Sequence, residues 1–290
     1  KEPGSNGEPL YQIVRTTLSE ALENGQIKQC PKVIGGRYGL GSKDFTPAMV
    51  KAVFDNLAAD KPVTSFSVGI YDDVSGKSIP WDKRWNTPQA GTFNAMFYGR
   101  GSDGTVGANK NTAKIITDET DKYVQAYFVY DSKKSGSMTT SHVRFGDKPI
   151  KSSYLIQQAD FIGCHNFSFL EYYNILGPLK KGGTFLLNSM HSCDDAWGHL
   201  PEHVQQQIIA TQARFYVIDA VSIAERLGLG SRINMVLQAA FFKISNIIPE
   251  EKAMAAIEKA IKKTYGKYGE KTVEMNINAM KEGFSEVSLV

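Results

Sequence analysis

Short apolar segments that alternate with helical segments constrain the fold of this chain more than any other feature. Several of these segments are apolar throughout, which is typical of strands buried on both faces of a parallel sheet. Apolar residues at helical spacing separate several of them. We therefore predict an α/β fold in which a parallel sheet carries helices on both faces. The predicted strands of this sheet are 93–98, 124–130, 141–145, 161–164, 183–189 and 215–220.

The N-terminal part of the chain reads as a separate strand–helix–strand unit. A strand and a glycine turn are predicted within 32–42, and a second strand over 66–70. Between them, Thr46 and Pro47 have the residue types of a helix N-cap and a first helical position. Two strands joined in this way favour parallel pairing with a right-handed crossover. The polar segment that follows reads as a linker, so the predicted organisation is 1–75, a linker over 76–90, and a second domain over 91–290.

A glycine-rich stretch at 99–112 follows the first strand of the second domain and leads into a helical segment. A strand, a glycine turn and a helix start expose backbone N–H groups to an anion. A second loop, 132–141, carries Lys133, Lys134 and several hydroxyl groups, which suit a phosphate. Loops after strands of one parallel sheet lie at one edge, so we predict a phosphate-bearing ligand there. The alternatives are a plain glycine turn and a polar surface loop.

Other candidate sites are weaker. His199 and His203 have the spacing of a helical metal pair, but Pro201 lies between them. Cys164 and His165 are adjacent, so in a strand their side chains point to opposite faces and favour a structural role. The cysteines lack the CxxC spacing of zinc and iron–sulfur sites. We therefore predict no metal site and no catalytic acid, base or nucleophile in this chain.

Charge and hydropathy exclude two classes of partner. A net charge of +3 is too small to indicate nucleic acid or an anionic membrane. No apolar run reaches the roughly 18 residues of a membrane span. The N-terminus has neither an apolar signal core nor an initiator Met, and we expect both ends to be cuts in a longer chain.

A series of short motifs covers nearly all of the chain, in the same order along the sequence as in one known enzyme family. Together they resemble the pyruvate:ferredoxin (flavodoxin) oxidoreductase family, also called pyruvate synthase. The matching stretches are Gly-Gly-Arg-Tyr-Gly-Leu at 35–40, Phe-Thr-Pro-Ala-Met-Val-Lys-Ala-Val-Phe at 45–54, Gly-Ser-Asp-Gly-Thr-Val-Gly-Ala-Asn-Lys-Asn at 101–111, Tyr-Asp-Ser-Lys-Lys-Ser-Gly at 130–136, His-Val-Arg-Phe-Gly at 142–146, Phe-Tyr-Val-Ile-Asp-Ala at 215–220, Gly-Ser-Arg-Ile-Asn-Met at 230–235 and Ala-Phe-Phe-Lys at 240–243.

The resemblance implies a part of a larger homodimeric enzyme. That family converts pyruvate and coenzyme A to acetyl-CoA, carbon dioxide and reduced ferredoxin or flavodoxin. Residues 1–75 resemble the end of its second domain, which is similar to the C-terminal domain of transketolase, and 91–290 resemble its gamma domain. Thiamine diphosphate and [4Fe-4S] clusters would belong to domains outside this chain, so we expect the fragment alone to be inactive. The expected location is the cytoplasm, or an organelle of an anaerobic eukaryote.

The resemblance also implies that the gamma domain holds coenzyme A at the two loops. Two alternatives stay open: a non-catalytic interdomain assembly module, and the same region of a pyruvate:NADP⁺ oxidoreductase. The residues carried over as coenzyme A contacts are Gly104, Thr105, Val106, Gly107, Lys134, Ser135, Gly136 and Asn276.

Overall fold

The computed structural model describes residues 6–39, 43–71, 74–130 and 137–290. It contains two compact units, Lys1–Thr87 and Pro88–Val290. The boundary falls within 76–90, the segment that the sequence marks as a linker. No helix in the described ranges is both long and apolar enough to cross a membrane.

The first unit contains two short parallel strands that are connected by a helix. Its elements are α1 (Pro9–Glu23), β1 (Gly36–Arg37), α2 (Pro47–Ala58) and β2 (Phe66–Ser67), and β1 pairs with β2 in parallel. The predicted strand–helix–strand unit is therefore present, but both strands are shorter than predicted because the ladder joins only two residue pairs. Thr46 caps α2 as expected, since its hydroxyl accepts a hydrogen bond from the N–H of Met49.

The second unit is built on a sheet that has seven strands in the described part of the chain. Their order across the sheet is β4-β5-β3-β6-β7-β8-β9. The central strands β3, β6, β7 and β8 are parallel to one another, as predicted. Strands β4, β5 and β9 run antiparallel to their neighbours. The bounds are β3 Thr92–Arg100, β4 Tyr123–Tyr130, β5 Met138–Gly146, β6 Ala159–Cys164, β7 Leu179–Asn188, β8 Arg214–Ile218 and β9 Ser288–Leu289.

Antiparallel pairing of β4 with β5 departs from the predicted parallel series. The connection between them is short, whereas a parallel connection needs a crossover of about a dozen residues or more. These two strands therefore form a hairpin at one side of the sheet. Strand β9 was not predicted, because two residues give no readable alternation.

Helices cover both faces of the sheet, as predicted. One face packs on α3, α8, α9 and α10, and the other on α4 and α6. The sequence patterns did not predict α5 and α6. The bounds are α3 Thr105–Glu119, α4 Phe169–Tyr172, α5 Ala196–His199, α6 Glu202–Thr211, α7 Ala220–Arg226, α8 Asn234–Ser245, α9 Glu250–Tyr265 and α10 Glu270–Ser285, with a 3₁₀ turn at Gly266–Tyr268.

Helix α8 is the centre of the larger core. Every residue from Asn234 to Phe242 is buried, which is typical of a helix surrounded by protein on all sides. The ring of Phe241 meets the rings of Phe97 and Phe161 edge-on, with centroids 5.1 and 5.0 Å away. This aromatic contact ties α8 to β3 and β6, the two strands whose carboxyl ends carry the candidate site.

Candidate anion-binding site

The glycine-rich loop, His165 and the described residues that flank the second predicted loop lie at one edge of the sheet. The glycine-rich loop follows β3, and the N–H of His165, just after β6, donates to the carbonyl of Tyr98 in β3. The described ends of β4 and β5 lie at the same edge, because Thr139 of β5 pairs with Tyr130 of β4 and with Gly99 of β3. The N–H of Gly101 donates to the carbonyl of Ser137 at 2.8 Å. The glycine-rich loop, His165 and the described residues that flank the second loop therefore lie at one edge of the sheet, where β4 and β5 pair antiparallel.

Asp103 closes the glycine-rich loop into a tight turn. One carboxylate oxygen accepts from the N–H of Arg100 at 2.7 Å, and the other accepts from the N–H of Thr105 at 2.8 Å. Gly104 follows with φ +89°, a conformation that favours glycine, and serves as the N-cap of α3. A Cβ at Gly104 would also lie 3.0 Å from Cγ of Asn234. The loop therefore ends at Gly104, and α3 begins at the next residue.

The side chain of Thr105 points into the protein. It is 1% exposed, and its Oγ1 lies 2.7 Å from Nδ1 of His165, with which it shares a hydrogen bond. A Cβ at Gly99 would approach Oγ1 of Thr105 to 2.4 Å, so this packing requires glycine. Neither the hydroxyl nor the N–H of Thr105 is directed to a ligand, because both are bonded within the loop and to His165.

Buried hydrogen bonds extend from His165 across the sheet. The side-chain amide of Asn188, the last residue of β7, donates to the carbonyl of His165 at 3.0 Å. Its carbonyl oxygen accepts from the N–H of Ala220 at 3.0 Å. The ends of β6 and β7 and the start of α7 are thereby joined by one side chain.

The imidazole of His165 is kept neutral. Burial lowers its pKa from 6.5 to about 4, against an opposing effect of the Asp103 carboxylate. His142 in β5 has a pKa lowered to about 4 by burial and by the charge of Arg144. Burial also raises the pKa of the Cys164 thiol to about 12, so this thiol is not a nucleophile.

Free backbone donors remain at the start of α3. The N–H groups of Gly104, Val106 and Gly107 donate to no residue in the described part of the chain, whereas the N–H of Ala108 donates to the carbonyl of Gly104. Gly104 and Gly107 are exposed, and a Cβ at Gly107 would meet no atom within 4 Å. The positive end of the α3 dipole adds to these donors. An anion therefore has open access to unpaired amides at this helix start.

The remaining predicted contacts are placed differently. Lys134, Ser135 and Gly136 lie outside the described residues. Asn276 is 1% exposed within α10, where its side-chain amide donates to the carbonyl of Thr272. Among the described residues, no hydrogen bond joins its side chain to the glycine-rich loop.

Two residues that organise the site have weak sequence signals. His165 follows a predicted strand at the expected edge, but only the structure shows its bond to Thr105. Asn188 is the penultimate residue of the predicted strand 183–189 and belongs to no motif. Position at the carboxyl end of a buried strand is the signal that both share.

The sequence model of a protein family described as pyruvate ferredoxin/flavodoxin oxidoreductase matches residues 94–286. This range covers most of the chain and includes the whole of the edge described above. The chain belongs to this family.

Curated relatives align along nearly the whole chain. A pyruvate:ferredoxin oxidoreductase of Moorella thermoacetica is 55% identical over 97% of this chain and 23% of its own length. A probable pyruvate-flavodoxin oxidoreductase of Escherichia coli is 49% identical over 100% of this chain and 25% of its own length. A mitochondrial pyruvate dehydrogenase [NADP(+)] of Euglena gracilis is 45% identical over 98% of this chain and 16% of its own length. The chain thus spans about a quarter or less of these relatives.

Solved structures share the fold of the second unit. The pyruvate oxidoreductase subunit PORC of Thermotoga maritima superposes with a TM-score of 0.55 and 22% identity, over 69% of this chain and 98% of its own. A 2-oxoglutarate:ferredoxin oxidoreductase of Magnetococcus marinus superposes with a TM-score of 0.52 and 16% identity, over 68% of this chain and 31% of its own. At these identities the likeness concerns the fold.

Iron–sulfur clusters do not fit the residues present. Cys30 is exposed, Cys164 is buried in the sheet, and Cys193 lies in the loop after β7. Within the described ranges, no group of three or more histidine, cysteine or acidic side chains is arranged to hold a metal ion.

Proposed function

We propose that this chain is the coenzyme A-binding part of a pyruvate:ferredoxin (flavodoxin) oxidoreductase. The observation that carries the proposal is the set of unpaired amides of Gly104, Val106 and Gly107 at the start of a 15-residue helix, where both glycines are exposed. Coenzyme A carries a diphosphate and a 3′-phosphate, and such groups bind well at helix N-termini. Support also comes from the Magnetococcus protein of the same fold, whose structure contains coenzyme A and succinyl-CoA.

The second loop supplies cationic groups for the same ligand in this proposal. Lys133 and Lys134 follow β4 in sequence, and the described residues on either side, Tyr130 and Ser137, lie at the site edge. Lysine ammonium groups bind phosphate as point charges. We therefore assign Lys134, Ser135 and Gly136 to the ligand together with the glycine-rich loop, and keep Asn276 as a weaker contact.

In the intact enzyme, thiamine diphosphate and iron–sulfur clusters held elsewhere would supply decarboxylation and electron transfer. The role of this chain is to hold the acyl acceptor and to contact the other domains of the same enzyme, with ferredoxin or flavodoxin as the electron acceptor. A homodimer and a cytoplasmic location stay predictions. The fragment itself binds but does not catalyse.

Calorimetric titration of the chain with coenzyme A tests the proposal. Gly107→Glu places a carboxylate in the open space beside the free amides, and we expect it to weaken binding at least about tenfold, since a like charge opposes phosphate. Gly266→Glu is the matched control, because Gly266 is exposed with nothing within 4 Å of its Cβ position. Equal binding by the two variants would contradict the proposal.

A parallel assay uses the full-length protein that contains this chain. Lys134→Ala should raise the apparent KM for coenzyme A and leave the KM for pyruvate unchanged. If neither Gly107→Glu nor Lys134→Ala changes the KM for coenzyme A, the alternative of a non-catalytic interdomain assembly module replaces the proposal.

The electron acceptor is a second question, because this region is also 45% identical to the Euglena enzyme named for NADP⁺. The region is therefore shared between enzymes named for different acceptors. Assays of the full-length protein with ferredoxin, flavodoxin and NADP⁺ would decide which acceptor it uses. Activity with NADP⁺ alone would favour the pyruvate:NADP⁺ alternative.

A further inference from the structure

Thr105 has no polar group available for a ligand in this conformation. Its N–H donates to Asp103, and its hydroxyl shares a hydrogen bond with Nδ1 of His165. Yet it stands between the free amides of Gly104 on one side and those of Val106 and Gly107 on the other. The direction of these amides therefore depends on how Thr105 is held.

His165 is held rigidly from several directions. Its N–H donates to the carbonyl of Tyr98 at 2.8 Å, and its own carbonyl accepts from Asn188 at 3.0 Å. The ring of Phe97 meets the imidazole edge-on, with centroids 6.1 Å apart. Since His165 is also 6% exposed, its ring has a fixed position relative to β3, β6 and β7.

We infer that Thr105 and His165 are a buried positioning pair that aligns the free amides of α3 with the phosphate of the acyl acceptor. The inference rests on the proposed function, because it assigns a task to residues behind that binding surface. The hydrogen bond connects the first residue of α3 to the end of β6, and Gly99 allows the close approach that the bond needs.

The pair acts by geometry rather than by charge. A neutral imidazole adds no attraction for phosphate, and the ring lies beneath the loop rather than on its surface. A hydrogen bond between buried groups fixes the helix start, so that its amides need no rearrangement when the anion binds. His165 and Thr105 are therefore positioning residues, not catalytic ones.

Two pairs of variants separate positioning from packing. Thr105→Val removes the hydroxyl and keeps the shape, whereas Thr105→Ser keeps the hydroxyl. His165→Leu removes the hydrogen-bonding atom, whereas His165→Asn retains a polar atom near the position of Nδ1. The readouts in the full-length enzyme are the KM for coenzyme A, the KM for pyruvate and kcat at saturating substrates.

We expect Thr105→Val and His165→Leu each to raise the KM for coenzyme A about tenfold, the effect of one lost buried hydrogen bond. The KM for pyruvate and kcat should stay within about twofold of the parent, because the lost interaction stabilises bound coenzyme A equally before and in the transition state. Thr105→Ser and His165→Asn should retain most of the affinity. The double variant Thr105→Val/His165→Leu should be no worse than either single variant, because the two share one interaction.

Gly107→Glu distinguishes failure of this inference from failure of the proposed function. If Gly107→Glu raises the KM for coenzyme A while Thr105→Val and His165→Leu leave it unchanged, the site stands and the positioning role is wrong. If His165→Asn loses as much as His165→Leu, the imidazole acts through packing and the inference is overturned. If Gly107→Glu also has no effect, the binding site itself is wrong.

Discussion

Gly99 and Gly107 lie close together in sequence but in opposite surroundings. A Cβ at Gly99 would lie 2.4 Å from the Thr105 hydroxyl, whereas a Cβ at Gly107 would enter open space. The sequence presents both as members of one glycine-rich motif. Only the structure shows that the first glycine serves packing and the second leaves the helix start accessible.

These surroundings predict opposite effects of the same substitution. Gly99→Ala should lower the free energy of unfolding by about 1–3 kcal/mol through overpacking. Gly107→Ala should raise it by about 0.5–1 kcal/mol, because alanine has the smaller entropy loss in a helix. Thermal unfolding without ligand, followed by circular dichroism, measures both, and a Gly99→Ala variant as stable as the parent would contradict the packing described.

The two buried histidines predict a pH dependence of stability. The pKa values of His142 and His165 are lowered to about 4 in the folded protein, while the ordinary value is 6.5. Between pH 6.5 and 4 the unfolded chain therefore binds protons that the folded chain does not, so stability falls as pH falls through this range. The loss should reach up to about 3 kcal/mol for each histidine.

Denaturant unfolding at several pH values measures this loss. A background in which Phe replaces Trp81 and Trp85 leaves Trp197 as the reporter for the second unit. His142→Asn, which can still accept the hydrogen bond from the N–H of Ile156, should remove about half of the pH dependence. Stability that does not change between pH 6.5 and 5 would be incompatible with buried, neutral histidines.

At the scale of elements, the candidate site depends on strand ends that are joined by side chains. Asn188 bonds to the carbonyl of His165 and to the N–H of Ala220, so it connects β6, β7 and α7. This connection needs a side-chain amide, because the NH₂ group donates one hydrogen bond while the carbonyl oxygen accepts the other. This connection lies in the second layer behind the loop that we propose binds the ligand.

Asn188→Ala should destabilise the second unit by about 2–4 kcal/mol, because two buried backbone groups lose their partners. Asn174→Ala is the control: its side chain accepts a hydrogen bond from Gln207 at an exposed position, and we expect a change below about 0.5 kcal/mol. Urea unfolding with Trp197 fluorescence gives both values. Similar effects of the two substitutions would refute a special role for Asn188.

At the scale of the molecule, the chain divides into two units with separate cores. The core of Lys1–Thr87 is a small cluster around Met49, Phe66 and Val68, whereas Pro88–Val290 has extensive apolar clusters on both faces of its sheet. A large core buried on both sides is sufficient for independent folding.

We therefore expect residues 88–290 to fold when expressed alone. Their unfolding midpoint should lie within a few degrees of the transition that Trp197 reports in the whole chain. The comparison requires the same Trp81→Phe and Trp85→Phe background for the longer protein. Loss of a cooperative transition in the shorter protein would show that the second unit needs the first.

The sequence by itself determined the class of fold and the edge of the sheet at which we propose that the ligand binds. Apolar strands that alternate with helices require a sheet covered on both faces, since each element must bury its apolar surface. Four parallel central strands, whose carboxyl ends meet at one edge of the sheet, follow from this pattern. The ordered motifs also identified the family, which the family match confirms.

Strand direction at the sheet's margin and the orientation of the site residues were decided only by the tertiary structure. Alternation patterns do not encode direction, so β4 and β5 resembled further parallel strands. Hydrogen bonds such as that between Thr105 and His165 join residues far apart in the chain, and no local spacing signals them. The family resemblance implied a coenzyme A contact at Thr105 but not the direction of its hydroxyl, which packing against Gly99 turns inward.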